Sequence, residues 1–125
     1  MNRILVFLSL FSLLWGSSTF ASAAGVEKLN EEKWRNGQMI YELYCAVCHG
    51  YEGVPFNPRS PSFADGERMG KKDEDLYIAI INGIGEDDAV GQAMPAWGEI
   101  INEKERADVL YYIRKIISKG KIKKE

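Results

Sequence analysis

Histidine and cysteine are nearly absent from this 125-residue chain, with one of the first and two of the second. All three stand inside Cys45-Ala46-Val47-Cys48-His49. A closed zinc site, which takes four ligands drawn chiefly from Cys and His, is therefore starved of donors. A structural disulfide between Cys45 and Cys48 would close a tight, strained loop. Alternation of strands and helices is also missing, and a thiol–disulfide redox pair would want it around its Cys-x-x-Cys. Charge of one sign is missing too. With 16 basic and 18 acidic residues the net charge is −2, which argues against nucleic acid as a partner. There is no internal repeat, and this length suits one domain better than two.

Long apolar runs are missing except at the amino terminus. Met1-Asn2-Arg3 is a short positive start, Ile4 to Trp15 is almost wholly apolar, and residues 17–24 are mostly small and polar. The Ala21-Ser22-Ala23 triplet fits a small-x-small cleavage site. Residues 1–24 therefore read as a secretory signal peptide, with the mature chain starting near Ala24 or Gly25. The alternative is an uncleaved anchor, for which the run is short of the ~20 residues a spanning helix needs. No cysteine stands near the cleavage region, which argues against a lipid anchor. Cleavage removes Arg3 and no acid, leaving 15 basic against 18 acidic residues, a net of −3. The remaining domain, residues 25–125, buries a modest core, and domains of that size often need a staple.

The pentapeptide supplies one. Two thiols three positions apart, with an imidazole directly after them, are the attachment signature of a c-type haem. Each thiol can reach one vinyl group of the same porphyrin and form a thioether. The next side chain is then carried under the ring, where His49 can give a nitrogen to iron as proximal ligand. The expected cofactor is one haem c, attached through Cys45 and Cys48.

The rest of the chain reads as helices and loops around that group. Asn30 is placed as a helix N-cap, with Glu31 and Glu32 in the first turn where negative charge suits the helix dipole. That helix is expected to reach about Tyr44, with Trp34, Gln38 or Met39, Tyr41 and Tyr44 along it. Met39 is too close to Cys45 on the same helix to serve as a ligand. From Gly50 to Gly70, four glycines and three prolines forbid a long regular element. Lys72-Asp73-Glu74-Asp75 opens a second helix, with Leu76, Tyr77, Ile80 and Ile81 as its apolar stripe and Gly83 as its stop. Asn102 and Glu105 have the spacing of a capping box. Val109, Tyr112, Ile113 and Ile116 form the apolar face of the helix that follows, Gly120 ends it, and the lysine-rich tail from Lys119 to Lys124 is expected to be solvated.

With these pieces in place the mature chain resembles a class I cytochrome c of the small bacterial or algal kind. In that family a glycine lies eight residues before the first motif cysteine and an aromatic four before it, and Gly37 and Tyr41 occupy those positions. The resemblance implies an all-α cytochrome c fold, three to four helices around one covalently bound haem, with crossed N- and C-terminal helices. Val109 and Tyr112 match the aliphatic–aromatic pair expected to meet Gly37 and Tyr41. Pro61, twelve residues after His49, matches the proline whose carbonyl holds the second ring nitrogen, with Pro58 as fallback. Met94, followed by Pro95, stands where the family places its distal iron ligand. Met69 is the other loop methionine, and it lacks a following proline. Trp97 is expected on or near the haem, its N–H a candidate partner for a propionate, while Arg59 is either a propionate partner or a solvated arginine. Met94 follows His49 by 45 residues, which is shorter than in mitochondrial-type cytochromes and implies a reduced distal loop and a more exposed haem edge.

The function implied is that of a soluble periplasmic monomer that shuttles single electrons between redox proteins and is not an enzyme. Iron filled by His49 and Met94 leaves no site for substrate. Haem attachment in this class lies beyond the inner membrane, which agrees with the export signal. Glu86, Asp87 and Asp88 suggest an acidic docking rim that would favour basic partners. Two alternatives remain open: a haem subunit of a dehydrogenase or oxidase complex, or, if Met94 is not a ligand, a gas-binding or peroxidatic haem protein.

Overall fold

The computed structural model describes residues 20–85 and 94–123. Helix α1 spans Phe20–Ile40, so it starts ahead of the expected cap and Asn30 lies in its interior. Alanine, the strongest helix former, recurs over residues 21–24. One interior Asn costs only about 0.7 kcal/mol, too little to force a helix start there. The expected end at Tyr44 is also revised. A π-helical turn over Tyr41–Cys45 is closed by the Ala46 N–H on the Tyr41 carbonyl, and it runs straight into α2, Ala46–His49. Gly50, at φ 75°, then turns the chain away.

The other two helices begin where their sequence signals stand. Helix α3, Asp73–Asn82, carries Asp73, Glu74 and Asp75 in its first turn and is followed by Gly83 at φ 72°. Helix α4 spans Glu103–Tyr112 and opens with a complete capping box. The Glu105 N–H donates to Asn102 Oδ1 at 3.0 Å, and the Asn102 N–H donates to Glu105 Oε2 at 2.8 Å. A second π-helical turn, Ile113–Ile117, extends α4 and is closed by the Ser118 N–H on the Ile113 carbonyl. The wider turn changes the expected apolar face: Ile117 is buried and Ile116 is exposed, because a π turn holds one residue more than an α turn.

Helices α1 and α4 cross in close contact at Gly37. A Cβ there would lie 2.1 Å from the Asp108 carbonyl oxygen and 2.8 Å from Tyr112 Cβ, so only glycine permits the approach. The rings of Tyr41 and Tyr112 meet at 5.6 Å with a 54° tilt. Tyr112 thus meets Gly37 and Tyr41, and Val109 packs in one core cluster with Tyr41, Ile40, Ile101 and Ile113, while the Asp108 backbone makes the nearest approach to Gly37. Beside the crossing, the buried Asp108 carboxylate accepts from Asn36 Nδ2 at 2.6 Å and Lys104 Nζ at 2.7 Å. A buried charge needs such partners. Among the described residues the only β interaction is an isolated antiparallel bridge between Ile84 and Met94, so the fold is all-α.

Two long-range straps complete the frame. Arg114 donates from Nη1 to the Met69 carbonyl at 2.6 Å and from Nη2 to the Lys71 carbonyl at 2.7 Å, and Nη2 also pairs with Asp73 at 2.8 Å. This ties the start of α3 to the terminal helix. The tail residues 119–123 are exposed, as expected, yet the segment is tied to the body of the domain. The Lys123 N–H donates to the Gly66 carbonyl at 3.0 Å, and Lys121 Nζ donates to the Ala64 carbonyl at 3.1 Å. Composition described the side chains of this segment; its backbone had partners to find.

Candidate functional site

The π turn ends on Cys45 and α2 ends on His49, so the thiols and the imidazole share one helical path. Cys45 is half-buried and Cys48 is exposed. Burial pushes the Cys45 thiol up to about 12, and the neighbouring Cys48 adds to the rise. Among the described residues, no three His, Cys, Asp or Glu side chains gather as a metal cluster.

His49 is buried at 8% exposure and lies nearly parallel to the ring of Phe63, with centroids 4.5 Å apart and 18° between the planes. Burial holds its pKa below the ordinary histidine value, and the backbone carbonyl of Pro61 acts in the opposite direction. The neutral imidazole that burial favours is the form that can ligate iron. Nδ1 is itself buried and has no hydrogen-bond partner of regular geometry. Pro61 therefore acts on the ring as a nearby dipole rather than as a well-aligned acceptor. The Tyr41 hydroxyl donates to the Gly50 carbonyl at 2.7 Å, fixing the chain just after His49. Desolvation raises the Tyr41 pKa well above its ordinary value, so the hydroxyl stays a donor.

Met94 sits on the second wall. Its N–H and carbonyl exchange hydrogen bonds with Ile84, both at 2.9 Å. The Trp97 N–H donates to the Ile80 carbonyl at 2.9 Å and the Gly98 N–H to the Ile81 carbonyl at 3.1 Å. The segment is thereby stitched along the carboxyl end of α3. Gly83 makes this possible: a Cβ there would stand 2.3 Å from the Met94 carbonyl oxygen. Trp97 packs on Tyr44 with ring centroids 5.3 Å apart, which joins the Met94 segment to the residue just before Cys45. Met69 is buried in the hydrophobic core, and Arg59 and Pro58 are exposed. Glu86, Asp87 and Asp88 lie outside the described residues.

These residues fit a haem. The donor set holds two thiols for thioethers, a buried neutral imidazole, and a thioether sulfur on a backbone-fixed segment. When bound, the haem supplies a one-electron ferric/ferrous couple. Phe63 was legible in the sequence only as part of Pro61-Ser62-Phe63 and Tyr44 only as one of the residues spaced along the first helix; what the sequence did not show is that Phe63 stacks on His49 and Tyr44 meets Trp97.

A thiol pair and imidazole at the end of one helix, beneath crossed terminal helices, define a c-type cytochrome. Residues 32–113 match the family model described as cytochrome c oxidase, cbb3-type, subunit III, and the chain belongs to that family. Its structure is similar to the crystal structure of c-type cytochrome XoxG from Methylobacterium extorquens AM1, with a TM-score of 0.54 and 28% sequence identity. The match covers 74% of this chain and 54% of that one, so the chain spans about half the length of that cytochrome. No curated protein matches the chain. The protein is a class I monohaem c-type cytochrome with haem c attached through Cys45 and Cys48.

Proposed function

We propose that the protein is an exported carrier that moves single electrons between periplasmic redox proteins, with His49 and Met94 as its two axial ligands. The observation that carries this reading is the fixed Met94 segment. Reciprocal hydrogen bonds to Ile84 hold its backbone, and Pro95 restricts Met94 to extended geometry and offers no competing N–H. With a thioether sulfur opposite an imidazole, no position is left for oxygen or substrate, and the soft sulfur favours the ferrous state. Pro61 and Trp97 support the two walls, Pro61 through its carbonyl near the imidazole and Trp97 through its tilted ring contact with Tyr44. Export rests on the charged start, apolar run and small-residue triplet of residues 1–24, read as a cleaved signal peptide. No described helix is long and apolar enough to cross a membrane.

The optical spectrum of the oxidised, haem-loaded protein tests the ligand pair. A weak thioether–iron charge-transfer band on a low-spin background is expected, with no binding of carbon monoxide by the reduced protein. Met94→Ala should lose the band and gain carbon monoxide binding. A high-spin parent spectrum would overturn the reading and favour a gas-binding or peroxidatic protein. The family description favours a second reading, a haem subunit held in a larger oxidase or dehydrogenase assembly. Purification from its host at fixed stoichiometry with other chains would decide for that reading, and isolation as a monomer would decide for the carrier.

A further inference from the structure

The ring stacked on His49 belongs to a turn that is held from outside by the end of the chain. Phe63 heads the short 3-10 turn Phe63–Asp65, which lies between Ser62 in extended geometry and Gly66 at φ 80°. Glu67 ties the two ends of this turn to the tail. Its Oε2 accepts from the Ser62 N–H at 2.9 Å, while its Oε1 pairs with Lys123 Nζ at 2.5 Å. The backbone bond from Lys123 to Gly66 and the Lys121 side chain on the Ala64 carbonyl add two further ties. The fit leaves no slack, since a Cβ on Gly66 would stand 2.5 Å from the Lys121 carbonyl oxygen. Behind the turn, the Ala64 N–H donates to the Gly53 carbonyl at 3.1 Å. The Pro61 carbonyl beside Nδ1 and the Phe63 ring are thus the contacts that bear on the imidazole.

We propose that Phe63 is a positioning residue that sets the plane of the His49 imidazole, and that the segment Lys121–Lys123 holds Phe63 in place through Gly66 and Glu67. The tail is then part of the proximal wall of the site. This rests on the reading of His49 as an iron ligand, and it goes beyond that reading by naming what orients the ligand.

Proton NMR of the oxidised, haem-loaded full chain tests it, because the hyperfine shifts of the haem methyl groups follow the orientation of the axial imidazole plane. Phe63→Leu should redistribute the methyl shifts and move the largest EPR g value, and Phe63→Tyr should restore both. Glu67→Ala and Gly66→Ala should move the methyl shifts in the same sense as Phe63→Leu but less far. Asn102→Ala serves as a control, since it weakens the capping box of α4 and should leave the pattern alone. Unchanged methyl shifts in a folded Phe63→Leu protein would overturn the positioning role. Shifts that respond to Phe63 but not to Glu67 or Gly66 would overturn the role of the tail. A parent spectrum without coordinated imidazole protons would overturn the ligand reading itself, together with the proposal that rests on it.

Discussion

The surroundings of His49 and of Met94 are held by opposite means. Around His49 the decisive contacts are made by side chains: the Phe63 ring on the imidazole and the Tyr41 hydroxyl on the Gly50 carbonyl. Around Met94 they are made by the backbone, through the exchange with Ile84 and the two N–H groups that follow it onto α3. A wall built from side chains answers to the size and polarity of its neighbours. A wall built from backbone tolerates new side chains and fails where the chain path itself is disturbed. Substitutions can therefore be chosen that strike both walls, one wall, or only the rim.

The crossing of α1 and α4 underlies both, and breaking it should have the largest effect. Gly37→Ala places a methyl group 2.1 Å from the Asp108 carbonyl oxygen, where backbone and not a flexible side chain must give way. The expected loss is about 3 kcal/mol, at the upper end for overpacking, read as a lower denaturant midpoint. An unchanged midpoint would mean that the helices separate without cost. Gly83→Ala comes next and is aimed at the Met94 wall. The residue sits at φ 72° and ψ −177°, a region nearly restricted to glycine, and the added Cβ would meet the Met94 carbonyl at 2.3 Å. About 2 kcal/mol of strain is expected, together with loss of the thioether–iron band while haem stays covalently bound. Retention of a full band would show that the Met94 wall does not depend on this turn.

Tyr41→Phe turns the comparison to the other wall. It removes a buried hydrogen bond of 2.7 Å and leaves the Gly50 carbonyl without that donor, for an expected loss of about 1–2 kcal/mol in unfolding free energy. The thioether–iron band should survive, because Met94 is fixed elsewhere. If Tyr41→Phe weakened that band as strongly as Gly83→Ala does, the two walls would not be separable.

The sequence was most legible where one residue type has one job. The pentapeptide, the capping box at Asn102, the crossing glycine Gly37 and the glycine stop at Gly83 each follow from chemistry that few other residues can supply. Two kinds of feature were hidden. The π turns at Tyr41–Cys45 and Ile113–Ile117 leave no mark in a 3.6-residue pattern, and one of them moved the buried position from Ile116 to Ile117. The long-range ties were hidden for a different reason. Neither the stack of Phe63 on His49 nor the seating of Lys121 and Lys123 on the turn is local in sequence, and a lysine run looks the same whether its backbone is solvated or docked.

That docked tail gives the smallest and most easily misread prediction. Glu67 and Lys123 are paired near the surface. Hydrogen bonding to Lys123, then to the Ser62 N–H, lowers the Glu67 pKa below its ordinary 4.5. Hydrogen bonding to Glu67 raises the Lys123 pKa above its ordinary 10.5. The carboxylate contribution is present above 4.5 and is lost as pH falls through the lowered folded value. The ammonium contribution is present below 10.5 and is lost as pH rises through the raised one. Between those limits the stability difference between the parent and Lys123→Ala should be flat, small and reduced by salt, as befits an exposed pair. Denaturation midpoints of the two proteins across pH measure it. The difference should shrink in acid, and one that widened below pH 4.5 would assign the tail's grip to something other than this pair. A flat, near-zero difference alongside strong protection of the Lys123 amide would place the grip in its backbone bond to Gly66, making this rim resemble the Met94 wall more than the His49 wall it supports.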